Sequence, residues 1–201
     1  MTRKDHWQQT YRGKADSEVS WTQQEPSLSL SLIADFAPSG SVIDVGGGVS
    51  PLASRLLDSG YTVAVLDIAP AAIDRAKRRL GDRAASVRWI TGDVTVLGEV
   101  GTFDVWHDRA VFHFLTRPAQ RAAYRELLAR TVPVGGHAVI ATFAPDGPRR
   151  CSGLPVCRYD GPALAAELGP AFELLKTVPE THRTPWGQPQ SFQYGVFRRV
   201  A

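Results

Sequence analysis

The stretch VIDVGGGVSP, residues 42–51, decides how the chain is read. A short apolar run ends in Asp44, three glycines follow at Gly46, Gly47 and Gly48, and a helix is expected to begin near Ser50. A strand that passes through a glycine turn into a helix is the repeating unit of parallel sheets, and its turn lets backbone approach a ligand. An acid two residues ahead of the first glycine narrows what that ligand can be.

Working outward, Ser41–Val45 reads as a strand, Pro51–Ser59 as a helix closed by Gly60, Thr62–Asp67 as a second strand and Pro70–Leu80 as a second helix closed by Gly81. The pattern continues with strands at Val87–Thr91 and Phe103–His107, a helix at Pro118–Thr131 and a strand at His137–Phe143 after the Gly135–Gly136 turn. Alternation with short turns demands parallel strands joined by right-handed crossovers. After Phe143 the character changes: PDGPRRCSGLP reads as a surface loop, Gly161–Leu168 as a helix, and Phe172–Thr177 and Ser191–Arg199 as strands. HRTPWGQPQ between the last two cannot support a helical crossover, so they are expected to pair antiparallel. The expected fold is α/β: a doubly wound, Rossmann-like, mostly parallel seven-stranded sheet with helices on both faces and the last strand antiparallel.

With 201 residues the chain is long enough for one well-buried core, and residues 1–201 are read as one domain. Its 43% hydrophobic and 21% charged residues are ordinary for a globular protein. No run approaches the ~20 apolar residues of a bilayer span, and MTRKDHWQQTYRGK is too polar for a signal peptide. A cytoplasmic protein with no membrane partner is expected. Cys151 and Cys157 are the only cysteines, too few for a disulfide framework or a structural zinc site, and no metal is expected. The net charge of +3 is spread along the chain, and the densest basic group, RAKRRL at 75–80, is not interleaved with aromatics; no nucleic acid partner is expected. Residues 1–40 precede the first strand, and HWQQTYRG places Trp7 and Tyr11 four apart on one helical face, either as a packing stripe or as a lid over the ligand.

Three nucleotide-site templates can be tested on the glycine loop. A phosphate-cradling P-loop needs Lys and then Ser or Thr after its final glycine, whereas VSPL follows Gly48. The dinucleotide fingerprint is matched at Gly46 and Gly48 but meets Pro51 where its third glycine belongs. Asp44 would also set a carboxylate near any diphosphate, which is unfavourable in a desolvated cleft. A ligand bearing an amine and no phosphate fits better.

DVGGG at residues 44–48 resembles the first motif, D-x-G-x-G, of the class I S-adenosylmethionine (SAM) dependent methyltransferases. The resemblance implies that Asp44 meets the SAM amino group, that Asp67 in VAVLDIAP accepts the ribose hydroxyls, and that Ile68 walls the adenine. It further implies that Asp93 in GDV lies near the adenine amine with Val94 against the ring. A NAD(P)-binding Rossmann protein is the alternative reading of the fold.

WHDRAVFHFLTRPAQRAAY resembles the thiopurine and tellurite-type small-molecule methyltransferases, as does the W-x3-Y-x2-G-K of HWQQTYRGK. By that resemblance Trp7, Tyr11 and Trp21 flank SAM and Arg109 lies near cofactor and substrate; S-adenosylhomocysteine (SAH) is the product. Small protein-lysine methyltransferases share the aromatic opening but usually carry an acid and a Lys-Gly run where this chain has His107, Asp108 and Arg109. A small-molecule acceptor is therefore expected first, a protein substrate second, and a non-enzymatic SAM-binding module third. His113 is the candidate base, or else a packed core residue; His107 is read as structural. Arg109, His113, Cys151, His182 and Trp186 are the candidate substrate contacts, with an Arg109–Asp108 ion pair, a buried thiol and a pinned loop as their plainer readings. Cys157 is expected to be buried.

Overall fold

The computed structural model describes residues 2–201. Its helices and strands are α1 (Arg3–Gly13), α2 (Ser27–Phe36), β1 (Ser41–Val45), α3 (Leu52–Asp58), β2 (Thr62–Asp67), α4 (Pro70–Leu80), β3 (Val87–Thr91), β4 (Val105–Arg109), α5 (Pro118–Thr131) and β5 (His137–Phe143). Then follow a two-residue hairpin, β6 (Arg150–Cys151) with β7 (Leu154–Pro155), α6 (Gly161–Leu168), β8 (Phe172–Arg183) and β9 (Pro189–Arg199). The main sheet has seven strands in the order β3-β2-β1-β4-β5-β9-β8. Strands β1 to β5 are mutually parallel, while β9 is antiparallel to both β5 and β8. The strand order reverses between β1 and β4, which opens a crevice at their carboxyl ends.

Successive strand residues point to opposite faces, and here both faces are apolar. Ile43, Ala64, Trp106 and Ile140 pack under α5 and α6, while Val42, Val63, Val105 and Val139 pack under α2 and α3. The helices are delimited by local chemistry. Thr2 and Asp5 form a reciprocal capping box at α1, Asp160 caps α6 by accepting from the Ala163 amide at 2.8 Å, and Gly81 ends α4 with φ of 58°.

Four elements differ from the expectation. Ser27–Phe36, SLSLSLIADF, is a helix that sequence reading did not assign; Ser29, Leu32 and Ile33 form its buried stripe. Strand β4 begins two residues later than expected because Asp104 is engaged elsewhere, its carboxylate accepting from the Ser41 amide at 2.7 Å. Arg109 thus becomes the last residue of the strand. PDGPRRCSGLP contains the β6–β7 hairpin, turned through Ser152 and Gly153 at φ of 48° and 77°, which tucks Cys151 inward. Finally, β8 and β9 extend into both ends of HRTPWGQPQ as a long hairpin, pairing Arg183 with Pro189. Pro179 is tolerated because β8 is the sheet edge, and Pro189 because it opens its strand.

Candidate functional site

The loop after β1 brings backbone against two carboxylates. A Cβ on Gly47 would lie 2.3 Å from Asp44 Oδ2, and one on Gly48 would lie 2.6 Å from Asp67 Oδ2 and 2.9 Å from Ala72 Cβ. Neither position has room for a side chain, so the glycines let β1, β2 and α4 converge on a common cleft. Ser50 closes the turn by donating its amide to the Gly47 carbonyl at 2.7 Å.

The three acids occupy different environments. Asp44 is 2% exposed; its Oδ1 accepts from His107 Nδ1 at 2.7 Å, and its Oδ2 has no partner among the described residues. Register explains the first contact, since Asp44 and His107 lie side by side on the adjacent strands β1 and β4. Asp67 is equally buried and accepts from the Ala69 amide at 2.8 Å. Burial, aided by the charge of Asp44, pushes its pKa up to about 7 against the pull of the Ala69, Gly48 and Ile68 amides. Asp93 is taken up from the N-terminal segment: both of its oxygens receive Arg3, at 3.1 and 3.0 Å, and Oδ1 also receives the Thr95 amide and hydroxyl at 2.9 and 2.7 Å.

A cavity of about 730 Å³ opens at the carboxyl ends of the strands. Asp67, Ile68, Gly92, Asp93, Val94 and Leu115 line one end of it. Trp7, Tyr11 and Trp21 line it from the N-terminal segment, with Phe114 beside them. A second chamber of about 530 Å³ holds Asp44, Gly47, Ser29 and His107, and both spaces share Tyr11, Trp21, Val45, Gly46 and Arg109. Gly48 lines neither; it lies beneath the loop against Asp67.

The aromatic residues form one cluster. The Trp7 ring meets Phe114 edge-on at 5.0 Å and Trp21 at 5.5 Å, and Tyr11 meets Trp21 at 6.2 Å. Polar tethers hold α1 in place: Arg3 on Asp93, Gln8 on the Ala71 amide at 3.0 Å, and Arg75 on the Tyr11 and Lys14 carbonyls. The stripe at Trp7 and Tyr11 therefore packs on the domain and also lines the cavity.

Arg109 does not pair with Asp108. Its guanidinium reaches Glu180 at 3.1 Å, the Trp21 carbonyl at 3.1 Å and the Tyr194 hydroxyl at 3.1 Å, and it stacks 4.3 Å over the Phe192 ring. Asp108 turns away to accept from the Tyr124 hydroxyl at 2.6 Å and from the Val111 and Phe112 amides, with burial raising its pKa to about 6.

Of the other candidates for substrate contact, only Cys151 lines the cavity, and burial pushes its thiol up to about 11, against a reactive role at neutral pH. Cys157 is half-buried where a buried thiol was expected. His113 is fully buried between Phe114 and Phe143, with ring centroids at 4.5 and 4.8 Å, and lies outside both chambers. Desolvation brings its pKa down to about 3, so the expected base is a packed core residue. His182 Nε2 is bound to the Ser20 carbonyl at 2.6 Å and lies outside both chambers, and Trp186 is 53% exposed at the tip of the β8–β9 hairpin. Trp186 is carried away from the cavity because the strands continue past the sheet. Arg3, Ser29, Phe114 and Glu180 were missed by sequence reading. Phe114 lay within the quoted VFHF run, whereas no local signal marked Arg3, Ser29 or Glu180.

Residues 42–135 match the family described as methyltransferase domain. The 2-heptyl-1-hydroxyquinolin-4(1H)-one methyltransferase of Mycobacteroides abscessus is 30% identical over 148 residues, 69% of this chain and 64% of that protein. The eEF1A lysine and N-terminal methyltransferase of Danio rerio is 28% identical over 145 residues, 70% of this chain and 21% of that protein. The chain thus spans less than two thirds of the length of either relative. A solved structure described by the conversion of a disulfide bond into a thioacetal group during echinomycin biosynthesis shares the fold with a TM-score of 0.81 at 20% identity, over 99% of this chain and 93% of the other. The donor set fits SAM: an unpartnered buried carboxylate oxygen on Asp44 for an ammonium, Asp67 for a diol, and Ile68, Val94 and Leu115 for an adenine. Residues 42–135 are thus similar to a methyltransferase domain, and the cleft beside them carries donors that fit S-adenosylmethionine.

Proposed function

We propose that the protein is an enzyme that moves the methyl group of SAM to a small, largely apolar acceptor held beneath the aromatic roof, releasing SAH. The observation that carries this reading is the aromatic lining: Trp7, Tyr11 and Trp21 line the first chamber, and Tyr11 and Trp21 also line the second, which shares Gly46 and Arg109 with it. SAM supplies an electrophilic methyl on a sulfonium, so the protein's contribution is alignment and exclusion of water. Asp67 is suited to accept from the ribose diol, and Asp44 from the ammonium. The aromatic roof, tethered through Arg3, Gln8 and Arg75, keeps the junction of the chambers dry. Arg109, bonded on three sides, acts as a fixed wall between them.

With His113 sealed in the core and His107 bonded to Asp44 and Ser29, no imidazole among the described residues is shared by the two chambers, and acceptors that reach the cavity already nucleophilic suit it best. The Mycobacteroides relative, by its name, acts on an N-hydroxy heterocycle, which is of that kind. The second reading, methylation of a protein, is favoured by the Danio relative's name; the roof over the cavity counts against it.

The test is incubation of the protein with methyl-labelled SAM, in parallel, with a panel of hydroxylated heterocycles and thiols and with cell lysate. Label is expected in the organic-extractable fraction. Label confined to a protein band would replace this reading by the second.

A further inference from the structure

Buried hydrogen bonds run without a break from the second chamber to the β8–β9 hairpin. Asp44 Oδ1 meets His107 Nδ1 at 2.7 Å, His107 Nε2 meets Ser29 Oγ at 2.9 Å, and Ser29 Oγ meets the Tyr194 hydroxyl at 3.3 Å. The Tyr194 hydroxyl accepts from Arg109 Nε at 3.1 Å, and Arg109 ends on Glu180. Strands β1, β4, β8 and β9 and helix α2 each supply a member.

The polarity of this chain follows from its chemistry. A guanidinium only donates, so the Tyr194 oxygen accepts from Arg109, and in the arrangement that gives Asp44 an Nδ1–H from a neutral His107 its own hydrogen goes to Ser29. Ser29 then gives its hydrogen to His107 Nε2, which leaves Nδ1–H for Asp44. One oxygen of Asp44 is thereby occupied. The other, Oδ2, is buried without a protein partner among the described residues, an unfavourable state unless a ligand completes it. Asp44 lines the chamber together with Tyr11, Thr22 and Gln23, and the backbone of Gly47 comes close to this oxygen.

We propose that His107 is a positioning residue that holds Asp44 with one oxygen aimed at the ammonium of the ligand's amino-acid tail, the relay tying that aim to Arg109 and the wall of the junction. The inference rests on the SAM reading. It assigns to His107 a role that its place inside a strand conceals.

The experiment compares two probes by calorimetry. SAH carries the ammonium tail; methylthioadenosine has the same nucleoside and thioether without it. His107→Leu is expected to weaken SAH about tenfold, the effect of losing one hydrogen bond to a charged group, and to leave methylthioadenosine unchanged. His107→Gln, which retains a donor toward Asp44, should recover part of the loss. Combined with Asp44→Asn, His107→Leu should add nothing further. Ser29→Ala, which removes the next link with little change in volume, should weaken SAH by about threefold and spare methylthioadenosine; it reads the same relay if the leucine variant does not fold. Equal weakening of both probes, or additive effects in the double variant, overturns the proposal. Binding of neither probe by the unaltered protein overturns the SAM reading itself, and the inference with it.

Discussion

Along the two chambers Asp44, Asp67 and Val94 follow one another in the chain, each at or just beyond the carboxyl end of a strand. At the junction Arg109 is held by Trp21, Tyr194 and Glu180, which lie 88, 85 and 71 positions away. The first end is made by repetition of a strand–turn–helix unit, so each residue's place follows from its own strand. The second is made where the N-terminal segment, β4 and the β8–β9 hairpin meet, so no residue there is placed by its neighbours in sequence. Substitutions at the first end should act on one ligand group at a time, whereas those at the second should act on fold and site together.

The largest expected effect breaks the first end. Asp67→Ala should weaken SAH binding about a hundredfold in calorimetry, since it removes the acceptor for two hydroxyl donors at a buried site. Tight NADH binding in place of SAH would return the chain to the dinucleotide reading. The junction should respond in stability: Arg109→Met leaves Glu180 poorly solvated without its partner and should lower unfolding free energy by about 3 kcal/mol, read by chemical denaturation. A loss below ~1 kcal/mol would mean that this end is not the shared keystone its contacts describe.

A pH titration sharpens the same contrast. The ribose hydroxyls donate, so they need Asp67 ionised, and its pKa stands at about 7. SAH affinity should therefore be full above pH 8 and fall about tenfold by pH 6, one unit below the pKa, while Asp67→Asn should show no such dependence. An unchanged affinity over this range in the unaltered protein would contradict the burial described for Asp67. Trp7→Ala, which opens the roof, should weaken SAH by only a few-fold and slow methyl transfer more than it weakens binding, in a comparison of calorimetry with turnover. The smallest effect belongs to Trp186→Ala, at the hairpin tip: thermal and denaturant unfolding should move by less than about 0.5 kcal/mol, and SAH binding not at all.

Much of the fold was legible because its signals are local. Apolar runs, Gly60 and Gly81 after the helices, Pro70 and Pro118 opening others, and the glycines at 46–48 each act within a few residues, and the parallel sheet follows from their repetition. The misreadings have the opposite character. SLSLSL, unassigned from sequence, folds as α2, where Leu32 and Ile33 pack on the sheet and Ser29 bonds His107 and Tyr194. His113 resembled a base between two aromatic rings until packing against Phe143 sealed it. Trp186 resembled a closing loop until the pairing of β8 with β9 left it at the hairpin tip.

The sequence by itself determined that a strand, a glycine turn and successive acids at strand ends would present a cleft suited to an amine-bearing nucleoside, because those features depend on backbone geometry near each residue. Only the tertiary structure decided that Arg109 answers to Glu180, that Arg3 reaches Asp93, and that His107 bonds Asp44. A buried charge takes whichever partner the packed elements bring within about 3 Å, and that choice is made by the whole sheet and its lid rather than by any one stretch of chain.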